Sequence, residues 1–169
     1  MVSVDASGLL AVNLRGKFKS LMSLLAIDVG NTNIVFGIFS SDALRVSWRL
    51  ATLPSRTGDE LWVLVRRVIA ERGGSLDDID GVVLSSVVQA LTTTVSEMIK
   101  VGLNKKVLVV DAINAGLPIH YENPVEVGAD RLVNSVAALQ LFGQPPRPIV
   151  VVDFGTATTF DVISSSGEY

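Results

Sequence analysis

The sequence predicts an α/β protein: a mixed β-sheet with flanking helices, followed near the C-terminus by the start of a second copy of the same unit. Two observations carry that prediction. The first is an element order of three strands, then helix, strand, helix and strand, readable from hydrophobic periodicity. The second is a repeated phrase, Ala26-Ile-Asp-Val-Gly-Asn-Thr-Asn33 and Val151-Val-Asp-Phe-Gly-Thr-Ala-Thr158, with β-rich runs on both sides of each copy. The 169 residues, 49% of them apolar, supply a domain-sized core.

Each element has a local reason. The first apolar strand ends in Asp28, and Ile34-Val-Phe-Gly-Ile-Phe39 returns from it. Leu44 to Leu50 alternates apolar and polar residues, as a half-buried third strand does. Thr57 and Glu60 form a capping box, after which Leu61, Leu64, Val65, Val68 and Ile69 keep helical spacing up to Gly73. Residues 81–86 read as a buried strand, 87–101 as a helix and 106–110 as another strand. The connection from Asp111 to Val127 is long for a crossover, and loops of that length in compact domains are usually functional. Ala129 to Phe142 reads as a helix, closed by Gly143 and the proline-rich segment from Pro145 to Pro148. The second hairpin, residues 150–163, then opens a unit that the chain does not complete by Tyr169. The expected organisation is an extension over 1–21, a first domain over 22–145 and the start of a second over 146–169. A domain begun in this way exposes the apolar strands of Val150 to Ile163, which predicts poor solubility for the isolated chain. Arg15, Lys17 and Lys19 before an apolar stretch superficially resemble a signal peptide. Cleavage there would destroy the Asp28 motif, so Met22 reads instead as the natural start.

Composition narrows the function. A net charge of −3 without a dense basic cluster argues against nucleic-acid binding, and nothing points to a membrane. The absence of cysteine excludes disulfides and thiolate metal sites, and fits a cytoplasmic enzyme. With His120 the single histidine, there is no histidine-rich zinc site. The repeated phrase is more informative. Gly30 and Gly155 are expected to let the backbone turn and to let an anion approach amide N–H groups, with Asn31, Thr32 and Thr156 as further donors. Such tips suit polyphosphate. Asp28 and Asp153 repel phosphate but suit a cation that neutralises it. Neither a P-loop nor a Rossmann fingerprint is present.

Two related hairpin tips that bind phosphate resemble the superfamily of sugar kinases, actin and heat-shock chaperone ATPases, which implies an actin-like, ribonuclease H-like ATPase fold. Three motifs narrow this. They are Asp28-Val-Gly-Asn-Thr-Asn33, then Tyr121-x-Asn-Pro124 followed by Gly128-Ala-Asp-Arg131, and Asp153-Phe-Gly-Thr-Ala-Thr-Thr159. Their order and spacing resemble the type III pantothenate kinases over about residues 22–169.

That resemblance implies ATP-dependent phosphorylation of pantothenate to 4′-phosphopantothenate, the first step towards coenzyme A, by a cytoplasmic homodimer. It implies that Asp28, Val29, Gly30, Asn31, Thr32, Asn33, Ile34 and Val35 surround the ATP phosphates, with Asp28 towards Mg²⁺ and Thr156 also on ATP. By the same resemblance Asp153 helps hold a monovalent cation, K⁺ or NH₄⁺. Tyr121, Gly128, Ala129, Asp130 and Arg131 hold pantothenate, and Asp130 is the general base. Plainer readings stand beside these. Asp130 at a helix start complements the macrodipole, Arg131 can be a surface residue of that helix, and Tyr121 can pack in its loop. His120 is assigned no chemistry, and Trp48 and Trp62 read as packing residues. A non-catalytic accessory or transcription-activating homologue, and a superfamily kinase with another small substrate, are the competing functions.

Overall fold

A computed structural model describes residues 23–40 and 43–169. The expected extension and its start at Met22 lie outside the described residues. Strands β1 (Ser23–Val29), β2 (Asn33–Ser40) and β3 (Ala43–Ala51) form an antiparallel meander, followed by helix α1 (Gly58–Glu71). Strand β4 (Gly81–Ser86), helix α2 (Gln89–Leu103) and strand β5 (Val107–Val109) come next. After the long connection, with one 3₁₀ turn at Pro124–Glu126, helix α3 (Ala129–Phe142) leads to the hairpin β6 (Ile149–Phe154) and β7 (Thr158–Ile163). The first five strands make one mixed sheet in the order β3-β2-β1-β4-β5, in which β4 runs parallel to β1 and to β5. Strands β6 and β7 form a separate two-stranded sheet. The order of elements along the chain is the expected one.

The period of two along each strand assigns the faces. Leu25, Ile27 and Val29 point towards α1 and α2, where they bury against Leu61, Val65 and Leu91. Leu24 and Ala26 point the other way and join Val83, Leu132 and Val133 beneath α3. Asp28 is next on that second face, so alternation alone aims its carboxyl at the side where α3 begins. Helix α1 starts as its sequence predicts: Glu60 N donates to Thr57 Oγ1 at 3.3 Å, and Thr57 N donates to Glu60 Oε2 at 2.8 Å. Gly73 ends it with φ of +69°.

Two boundaries differ from expectation. Helix α2 begins at Gln89 rather than at 87, because Ser86 ties the preceding turn through Val88 N at 3.3 Å and Thr92 Oγ1 at 2.8 Å. Strand β5 is only three residues long, and its ladder to β4 ends with Val110 N donating to Leu84 O at 2.8 Å. The long connection is anchored at both ends. Asp111 Oδ1 accepts from the backbone of Ile113 and Asn114, each at 2.9 Å, and Leu117 and Val127 bury under α3. The outer strands do expose apolar side chains: Phe154 is 76% and Phe160 63% accessible. Among the described residues no helix is long and apolar enough to cross a membrane.

Candidate active site

Both repeated phrases form tight tips, as expected, closed by Gly30 N to Asn33 O at 3.0 Å and by Gly155 N to Ala157 O at 3.1 Å. The stated reason for the glycines needs correction. Neither adopts positive φ, so the turn itself does not require them. A Cβ on Gly30 would sit 3.3 Å from Asn33 O, whereas one on Gly155 would meet only ordinary contacts. What glycine secures at the second tip is therefore an open approach to the backbone. The tips face each other, with the hydroxyls of Thr32 and Thr156 hydrogen-bonded at 2.8 Å.

A cleft of about 950 Å³ lies between the tips and the start of α3. From the first tip it is lined by Asp28, Gly30, Asn31, Thr32, Asn33 and Val35. From α3 come Asp130 and Asn134, and from the second tip Asp153 and Thr156. Val29 and Ile34 are not in its wall; both residues are packed in the core, 0% and 1% exposed. Gly128, Ala129, Tyr121 and Arg131 also stand outside the wall. Ala129 packs in the core beneath α3, and Tyr121 is half exposed on its loop.

Three carboxyl groups share the cleft. Burial pushes Asp28 up to about 6, with the Asp130 and Asp153 charges adding to the rise and the neighbouring Ser85 hydroxyl opposing it. Ser85 is the register partner of Asp28 on β4 and fully buried, yet its hydroxyl lies outside conventional hydrogen-bond geometry. We regard its effect on Asp28 as a weak dipolar one. Asp130 is also raised, first by burial and then by Asp153 and Asp161, against the Arg131 backbone N–H that donates to its Oδ1 at 2.8 Å. Asn134 Nδ2 donates to Asp153 Oδ2 at 3.4 Å.

A raised carboxyl pKa means that the folded state binds the proton more tightly than the unfolded chain does. The cation-free protein therefore loses stability as pH rises from about 4 through about 6, by roughly 2–3 kcal/mol from Asp28. Urea titrations at pH 4 and pH 7 are expected to record most of that loss, and Asp28→Asn to remove it; an equal pH slope in the variant would assign the effect elsewhere.

Oxygen-only donors repelling one another are the setting that a hard divalent cation relieves. Among the described residues no three His, Cys, Asp or Glu side chains close on one point. The residues therefore fit Mg²⁺ held by one or two carboxylates, with phosphate oxygens and water completing its shell, as Mg²⁺ is commonly bound.

Gly128 acquires a specific reason. A Cβ there would fall 2.5 Å from Asp130 Oδ1, so any other residue would make that carboxylate turn away from its place over the helix start. Gly128→Ala is expected to lower turnover by about a hundredfold through displaced geometry, while the melting temperature changes by a few degrees at most; unchanged turnover would show that Asp130 tolerates the shift.

The residue after Asp130 is tied to the second hairpin. Arg131 does not stand free for an anion: its Nε donates to Asp161 Oδ1 at 2.6 Å and its Nη2 to Phe160 O at 3.1 Å. Asp161 is 1% exposed and also accepts from Tyr169 Oη at 2.7 Å. About a third of the Arg131 side chain remains accessible, and Nη1 is the part left for a ligand. Asp161 and Ser85 were missed in the sequence. Asp161 lies on a strand of the second hairpin with no local signal, and Ser85 is recognisable only through the pairing of β4 with β1.

The five-stranded mixed sheet with helices on both faces, and two facing hairpin tips over a carboxylate-lined cleft, define an actin-like ATPase fold. A solved chain from the PilM–PilN type IV pilus biogenesis complex aligns with a TM-score of 0.57 at 14% identity, covering 83% of this chain and 52% of that one, and bears on the fold alone. The sequence model of the type III pantothenate kinases matches residues 24–169. The type III pantothenate kinase of Moorella thermoacetica is 52% identical over 147 residues, 86% of this chain and 57% of the relative. That of Thermomicrobium roseum is 46% identical over the same length, 56% of the relative. The chain belongs to the type III pantothenate kinase family, and it spans a little over half the length of these relatives.

Proposed function

We propose that the full-length protein transfers the γ-phosphoryl group of ATP to the primary hydroxyl of pantothenate, giving 4′-phosphopantothenate for coenzyme A synthesis in the cytoplasm. The observation that carries this reading is the convergence of Asp28, Asp130 and Asp153 with both tips on one cleft, in a chain of this family. The backbone N–H groups and hydroxyls of the first tip, with Thr156 from the second, cradle the phosphates. Asp28 would hold Mg²⁺, which when bound would supply neutralisation of phosphate charge. Asp153 takes the monovalent cation, K⁺ or NH₄⁺.

Asp130 accepts the hydroxyl proton. In a loose transition state the proton leaves late, so this base needs position more than strength. Its raised pKa, caused mainly by burial, still makes it a better proton acceptor than a solvated aspartate. Tyr121, Gly128, Ala129 and the free edge of Arg131 are assigned to pantothenate. Two copies of the full-length chain form the active particle.

The test is phosphoryl transfer from ATP to pantothenate by the full-length protein, with K⁺ and then Na⁺ as the only monovalent cation, alongside light scattering for the dimer. Turnover that needs K⁺ supports both the substrate and the cation assignments. No transfer in either salt overturns the catalytic reading and favours an accessory role.

A further inference from the structure

The register of the first three strands places Asp28 opposite Val35, and Val35 opposite Arg49. Directly opposed residues of antiparallel strands project from one face, so the three side chains form a row across the sheet. All three line the cleft. With neighbouring strands about 4.8 Å apart, Asp28 and Arg49 are separated by roughly 10 Å of backbone. Only the apolar surface of Val35 lies between them.

The first tip brings no cation of its own, because residues 28–35 contain a carboxylate and no lysine or arginine. The cleft wall holds three aspartates and two arginines. One of the arginines, Arg72, is committed through its Nη1 to Ser47 O at 2.8 Å. Arg49 is exposed and makes no hydrogen bond or ion pair among the described residues. Its position is nevertheless fixed. The end of β3 is tied to the first tip by Thr52 N to Thr32 O at 2.9 Å and by Thr52 Oγ1 to Gly30 O at 2.7 Å. The backbone that carries Arg49 is thus held beside the first tip, on the flank opposite Asp28, with a guanidinium that no protein group engages among the described residues.

We propose that Arg49 is a further nucleotide-binding residue, whose guanidinium meets the polyphosphate from the β3 side while Asp28 meets it through its cation from the β1 side. The planar fork suits two phosphate oxygens at once, a geometry that lysine does not reproduce. Val35 forms an uncharged floor between the two, which keeps Arg49 from being neutralised by Asp28 when no nucleotide is bound. This assignment rests on the reading of the cleft as an ATP site.

The experiment measures MgATP affinity by calorimetry, and both Michaelis constants by assay, in the full-length protein carrying Arg49→Ala or Arg49→Lys, with Arg67→Ala on α1 as control. Arg49→Ala is expected to weaken MgATP binding at least tenfold and to raise its KM equally, with the KM for pantothenate and the melting temperature unchanged. Arg49→Lys is expected to recover part of the loss. MgATP affinity within twofold of the parent in Arg49→Ala overturns the proposal, and so does a parallel rise in both Michaelis constants, which would signal distortion of the site. Calorimetry separates the two levels of inference. A parent protein that binds MgATP through Arg49 but transfers no phosphate keeps this assignment and loses the kinase reading, whereas a parent that binds no MgATP overturns both.

Discussion

Asp130→Asn in the full-length protein is expected to lower turnover by roughly a thousandfold while leaving MgATP affinity and the melting temperature near their parent values, on the usual scale for a positioned general base. The amide keeps the size of the side chain and can still accept the Arg131 N–H that now reaches Oδ1 at 2.8 Å. It cannot take up the hydroxyl proton. Removing the charge also relieves Asp28, whose pKa the Asp130 carboxylate helps to raise, so the variant is expected to be slightly more stable than the parent near neutral pH. Loss of activity with that small gain in stability would separate catalysis from capping. A variant with ordinary turnover would leave Asp130 as a helix-start residue and nothing more.

Asp161→Ala is expected to cost about 3 kcal/mol of stability, read as a shift of the urea midpoint. Asp161 is buried, and one oxygen accepts from both Arg131 Nε and Tyr169 Oη. Removing one partner of a buried pair commonly costs 3–5 kcal/mol, because the other charge is left uncompensated. Arg131 is about a third exposed and can regain some water, which places the expected loss at the lower end. A gain partly offsets it, since Asp161 Oδ2 is buried without a hydrogen-bond partner and disappears with the mutation. The guanidinium and the Tyr169 ring, 6.0 Å apart, lose their common anchor, so a raised KM for pantothenate is expected as well. A loss of less than 1 kcal/mol, on the same scale, would mean that the hairpin is held by its packing on α3 alone.

The sequence is most legible where a signal is local. Thr57 and Glu60 announce the start of α1 three residues apart, and the two Asp-x-Gly phrases announce both tips. The helix bearing Asp130 has the bounds its pattern predicts. Long-range partnerships are not legible in the same way. Arg131 meets Asp161 across 30 residues, and nothing in either neighbourhood distinguishes an arginine that will be anchored from one left free for an anion. Arg49 was passed over as one polar residue in an alternating strand. Its place across Val35 from Asp28 depends on the register of three strands, including an irregularity between Ile38 and Phe39 that no periodicity fixes. The glycines mislead in a different way. Glycine in a tip suggests positive φ, but at Gly30 and Gly128 the reason is space, for Asn33 O in one case and the Asp130 carboxylate in the other.

The bond between the Thr32 and Thr156 hydroxyls joins the two tips without any charge or apolar contact of its own. Both groups are exposed, and such a bond contributes about 1 kcal/mol net. Each hydroxyl can exchange its partner for a phosphate oxygen one for one, so the tips can part around an entering anion with no donor stranded. On the proposed reading the bond is a clasp that a phosphate group would replace one for one, so parting the tips would forfeit no more than one exposed hydrogen bond.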